Sequence, residues 1–60
     1  MFVIRWIPGG YVTKRSSNRK PYASISTDPD VKIWTSKNRA QRWLDGRDET
    51  YATQCVIEEI

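Results

Sequence analysis

Apolar and polar positions alternate over "FVIRWI" (2–7), a run rich in β-branched and aromatic side chains, and this predicts a strand. Its faces would carry Phe2, Ile4 and Trp6 on one side and Val3, Arg5 and Ile7 on the other. "PGG" (8–10) ends the run, because Pro8 cannot donate to a ladder and the glycines permit positive φ. "YVTK" (11–14) then reads as the returning strand of a hairpin. "RSSNRKP" (15–21) has no apolar residue before its proline and predicts a solvated loop, while "YASIST" (22–27) reads as a third short strand or an extended arm. "DPD" (28–30) is a turn, with Pro29 pre-setting φ and aspartates that bond the local backbone, and "VKIW" (31–34) is extended again.

The period then changes from two to 3.6. Ala40, Trp43 and Leu44 recur at i, i+3 and i+4, the spacing of one helix face. Ser36 is the expected N-cap, with Thr35 competing, and Gly46 suits a left-handed position after the last turn. Asn38, Gln41, Arg42 and Asp45 fall on the wet face, and Arg39, four residues before Trp43, is placed to lie over its indole. After "RDET", the segment "YATQCVIEEI" (51–60) reads as a closing strand.

These elements predict a single α+β domain spanning 1–60: two layers, with a small antiparallel sheet (β-hairpin plus C-terminal strand) packed on one α-helix. Ala40, Trp43 and Leu44 would cover Ile4, Trp6, Cys55 and Ile57. Val3, Ile7 and Val56, beside Arg5, would lie on a sheet face with no second layer.

Length makes that open face matter. A 60-residue chain buries only about 60% of its unfolded surface, and small domains commonly draw further support from disulfides, a metal or a partner. One cysteine excludes an intramolecular disulfide, and without histidine it cannot build a four-ligand zinc site. No metal and no cofactor is expected, which leaves a homodimer or another partner. The cysteine usage suits a reducing compartment, and "MFVIRWIPGG" is too short an apolar run for a secretory signal or a membrane span. A cytoplasmic protein with no membrane partner is expected.

Enzyme chemistry finds little material. The commonest general base is missing, Cys55 sits in an apolar run, and "PGG" lacks the spacing of a phosphate loop. Asp45, Asp48 and Glu49 match no calcium-loop spacing. The expectation is a protein that is not an enzyme.

Charge points to binding. The net charge of +3 is uneven: residues 1–35 carry six basic and two acidic side chains, residues 36–60 four and five. Lys14, Arg15, Arg19 and Lys20 lie in one stretch with no acid among them, and Tyr22 or Tyr11 nearby could stack on an unpaired base. A plain solvated loop is the competing reading. If Val31 and Ile33 point inward, Trp34 points out, flanked by Lys32 and Arg39 as an interface hot spot would be; a partly buried edge residue is the alternative. Arg42 is also available for binding. As a recognition helix this segment is poor, since a helix-turn-helix needs a second helix at a fixed angle and the sequence shows no second helical pattern.

The layout "FVIRWIPGGYVTK", then "VKIWTSKNRAQRWLDG", then "CVIEEI" resembles small phage and prophage proteins. In those, a hairpin precedes an aromatic–S/T–K–x–x–A–x–x–W/Y–L helix and a final strand. The chain departs from them in the basic loop at 14–20, and the group shares no catalytic residues. The resemblance implies a small accessory protein that modulates host machinery in the host cytoplasm, as anti-CRISPR and similar inhibitors do. The expected function is therefore non-enzymatic docking on a host protein or nucleic-acid-handling complex. The alternatives are direct DNA or RNA binding through residues 14–20, or a structural homodimer subunit.

Overall fold

In the computed structural model, which describes all of residues 1–60, β1 (Phe2–Trp6) occupies an inner position of a four-stranded antiparallel sheet. The order is β3-β2-β1-β4, with β2 at Gly10–Val12, β3 at Ala23–Ser24 and β4 at Cys55–Glu59. The alternation of β1 holds: Phe2, Ile4 and Trp6 face the helical layer with Cys55 and Ile57 of β4. The hairpin return is shorter than the sequence suggests, because Thr13 leaves β1 and bridges to Val31.

The tight turn depends on two glycines. A Cβ on Gly9 would lie 2.5 Å from the Trp6 ring, and one on Gly10 2.6 Å from the Ser24 carbonyl oxygen. Gly10 also has φ +120°, which L side chains rarely adopt. Gly10→Ala should therefore cost about 1–3 kcal/mol in backbone strain alone, and should push β3 off β2. Chemical denaturation and amide protection across β2 and β3 check this; an unchanged midpoint would mean that the turn relaxes freely.

Ser36 caps α1 (Lys37–Asp45), its hydroxyl accepting the Arg39 N–H at 3.2 Å. Ala40 and Leu44 are buried and Trp43 is half-buried, as the helical period requires. Gly46 is not left-handed: at φ −86° its N–H closes on the Trp43 carbonyl, and the Arg47 N–H follows onto Leu44. The chain does not reverse there but runs on into a second helix, α2 (Glu49–Ala52), where the sequence reading placed a loop and the start of a strand. Local bonding explains the difference. The Asp48 carboxylate accepts both the N–H and the hydroxyl of Thr50, which sets a helical turn before the β-branched run begins. The closing strand therefore starts at Cys55, and all five of its residues pair with β1.

Residues 30–34 form the other departure. Lys14 N–H bonds Asp30 C=O at 2.9 Å and Lys32 N–H bonds Val12 C=O at 3.0 Å; Phe2 and Trp34 then exchange two bonds of 2.8 and 2.9 Å. The segment is a strap from the end of β2 to the start of β1. It turns Trp34 inward, beneath α1, into the cluster of Ile4, Val12, Ala40 and Leu44. The outward placement of Trp34, one of the two that the sequence leaves open, is thus incorrect: Lys32 and Trp34 do share a side, but it is the helix side. Ile33 is the exposed residue, at 52%. The strap also covers part of the sheet face expected to lie open. Val3 is only 3% exposed and lines a groove of about 150 Å³ with Tyr11, Val31, Ile33 and Ile60, while Ile7 and Val56 remain exposed.

A candidate cationic surface around loop 14–20

The basic loop has a fixed backbone. Ser16 Oγ accepts the Tyr22 N–H at 2.9 Å and donates to the Tyr22 carbonyl at 3.2 Å. Ser17 Oγ accepts the Lys20 N–H at 3.2 Å, and Ser17 N–H bonds the Lys20 carbonyl at 2.9 Å. Two contacts from α2 then pin the loop from outside: the buried Tyr51 hydroxyl donates to Ser17 C=O, and Asp48 N–H donates to Asn18 C=O at 2.6 Å. The loop is solvated in its side chains and anchored in its main chain. Tyr51→Phe removes one of those anchors and should cost about 0.5–1.5 kcal/mol, while raising amide exchange through residues 17–20. Protection there equal to the parent's would show that the loop holds itself.

Charges on the loop are not equivalent. Arg15 Nε lies 3.1 Å from the Asp30 carboxylate, and its guanidinium is 4.0 Å from Asp28. Those acids are distant in sequence and adjacent in space, so Arg15 leaves the set of free cations. Asp28 is held below the usual carboxylate range first by the Asp30 N–H, then by the Ser24 hydroxyl, with Arg15 adding to both. Arg5 is also paired, with Glu58 at 2.9 Å. The other eight of ten cations have no carboxylate within 4.0 Å, among them Lys14, Arg19 and Lys20, all exposed. Asp48 is lowered mainly by the Thr50 hydroxyl and N–H, with the charge of Arg19 contributing least.

A second group of cations surrounds Trp43. Lys32 Nζ lies 5.4 Å from its ring and 5.6 Å from that of Trp34, and the two indoles are 5.4 Å apart. The guanidinium over Trp43 belongs to Arg47, at 4.4 Å, and not to Arg39. Arg47 Nε also donates to the Trp43 carbonyl at 3.0 Å. In the sequence Arg47 falls in a polar stretch, and its position four residues after Trp43 is the signal that pairs it with the indole. Arg39, four residues before Trp43, is exposed on the flank of α1 that carries it, and Arg42 is exposed on the wet face.

Loop and cluster adjoin at two points. Lys14 bonds Asp30, two residues before Lys32, and Asn18 bonds Asp48, next to Arg47. These contacts bring the loop of Lys14, Arg19 and Lys20 beside Lys32 and Arg47, and set Arg15 and Trp34 apart, while Arg39 and Arg42 stand exposed on α1. Tyr22, 44% exposed, sits at the loop's exit with Lys20 Nζ 5.1 Å from its ring.

This arrangement can hold anionic groups by hydrogen bonds and charge. For stacking on an unpaired base it offers Tyr22, while Trp34 is buried and Trp43 already packs against Lys32, Arg47 and Trp34. Burial pushes the Cys55 thiol up, and Sγ donates to the Tyr51 carbonyl at 3.3 Å; burial raises Tyr51 as well. No three metal-ligating side chains converge, and no helix is long and apolar enough to cross a membrane. Comparison with protein-family models, curated proteins and solved structures gives no match.

Proposed function

We propose that the chain is a non-enzymatic binding protein that docks on an acidic surface of a partner protein through loop 14–20 and the Trp43 flank of α1. The observation that carries this reading is the set of uncompensated cations beside a loop whose main chain is pinned by Tyr51 and Asp48. Pre-organised charge steers encounter and fixes orientation at little cost in ordering. Together with the resemblance drawn from the sequence, this describes a small phage-derived modulator of a host protein or nucleic-acid-handling complex. Direct binding of duplex phosphates is the second reading, favoured by Lys14, Arg19 and Lys20 standing exposed and unpaired on one fixed loop.

The test has two arms: capture of partners from a bacterial host lysate on the immobilised chain, and titration with random duplex DNA, both at about 150 mM salt. Capture of a protein released by raised salt, with no submicromolar duplex binding, is the expected result. Submicromolar duplex binding would move the assignment to the second reading, and failure in both arms would remove the binding function.

A further inference from the structure

β4 pairs with β1 alone and forms an edge of the sheet. Gln54 C=O accepts the Ile7 N–H at 2.9 Å and Ile60 N–H donates to Met1 C=O at 2.8 Å, so residues 54, 56, 58 and 60 turn their main-chain groups toward β1. The N–H and C=O of Cys55, Ile57 and Glu59 point the other way and have no partner within the chain. Sheet edges are normally blunted by charged side chains, proline or a bulge; β4 has no proline, and its two charges, Glu58 and Glu59, lie at its C-terminal end. β4 reads "CVIEE", and its register with β1 is unbroken over all five residues.

We propose that this edge pairs with the β4 edge of a second copy of the chain, antiparallel, about a two-fold axis at Ile57. That register sets Ile57 opposite Ile57 and Cys55 opposite Glu59 of the other copy, and it satisfies all the outward main-chain groups. A register centred one residue to either side leaves Cys55 or Glu59 of each copy without a partner in the other strand. Charge agrees with it. Glu58, already paired with Arg5 of its own chain, stands opposite Val56, so no two acids face each other.

α1 lies against β1 and β4, and its Gln41 and Asp45 line a groove with Glu49, Ala52 and Thr53 of α2 in the same chain. The outward main-chain groups of the edge are self-complementary about Ile57 and no like charges meet across it, which points to a second copy as the occupant. The basic loop follows β2, on the far side of β1 from the axis, and stays free.

Sedimentation equilibrium of the whole chain, from micromolar upward, should show a dimer. Glu59→Cys places a thiol about 5.5 Å in Cα separation from Cys55 of the other copy, within disulfide reach, but about 13 Å from Cys55 of its own strand. Mild oxidation should give a covalent dimer whose peptide map links position 59 to Cys55 between chains. N-methylation of the Ile57 amide, introduced by joining a synthetic peptide at Cys55, blocks the central donor and spares the bonds to β1. It should weaken association by about tenfold or more without altering the circular dichroism spectrum. A parent that stays monomeric to about millimolar concentration, cross-links mapping Cys55 to Cys55, or a folded N-methylated chain that dimerises like the parent would each overturn the proposal. If that chain fails to fold, the cross-link map decides.

Discussion

Trp34→Ala is expected to cost about 3–5 kcal/mol and to leave much of the chain unfolded at room temperature, since a domain this small starts near the low end of about 5–15 kcal/mol. Trp34 is 8% exposed, packs on Trp43 at 5.4 Å, and fills the space between the strap and α1 beside Ile4, Val12 and Leu44. It also sits where the strap bonds Phe2, so the cavity opens at the point that joins residues 30–34 to β1. Trp34→Phe keeps part of that volume and should recover part of the loss. Ile33→Ala, next along the strap but more than half exposed, should stay within about 0.5 kcal/mol. Urea midpoints of the three variants measure this. If Trp34→Ala melts like the parent, the indole is a surface residue and the strap is misplaced.

That residue also shows where sequence reasoning stops. A period of two says that Lys32 and Trp34 share a side; it does not say which side is inward. The choice is made by long-range pairing, Val31 with Thr13 and Trp34 with Phe2, and no local signal encodes it. The strand 2–6 and the helix 37–45 were legible because each carries enough periodic apolar positions to fix both its type and its buried face. α2 was hidden by composition: Tyr51 and Thr53 suggest a strand, and a two-residue capping interaction at Asp48 outweighs them. The candidate surface divides the same way. A run of cations was visible in residues 14–20, but the partners of Arg15 lie thirteen and fifteen positions further along the chain, and the pinning of the loop by Tyr51 lies thirty-four away.

Those hidden partners make the loop testable by contrast. Changing Lys14, Arg19 and Lys20 together to serine should abolish partner binding while stability stays close to the parent's, because exposed loop substitutions away from structural contacts rarely cost more than about 0.5 kcal/mol each. Arg15→Ser should do the reverse: binding persists, and the denaturation midpoint falls slightly as the Asp28–Asp30 turn loses its counter-charge. Against an acidic protein surface, the triple variant should lose mainly association rate, because exposed charges act on encounter before they act on dissociation. Against duplex DNA, three phosphate contacts would instead give a log–log salt slope of about −2.7, roughly 1.5 decades of affinity between about 50 and 200 mM salt, and the triple variant would flatten it. The association-rate outcome is the expected one, because Trp43 and Trp34 are engaged within the fold and a net charge of +3 is small for a dedicated nucleic-acid binder. Equal loss of binding in Arg15→Ser and the triple variant would mean that the Asp30 pair opens on contact and that Arg15 belongs to the surface after all.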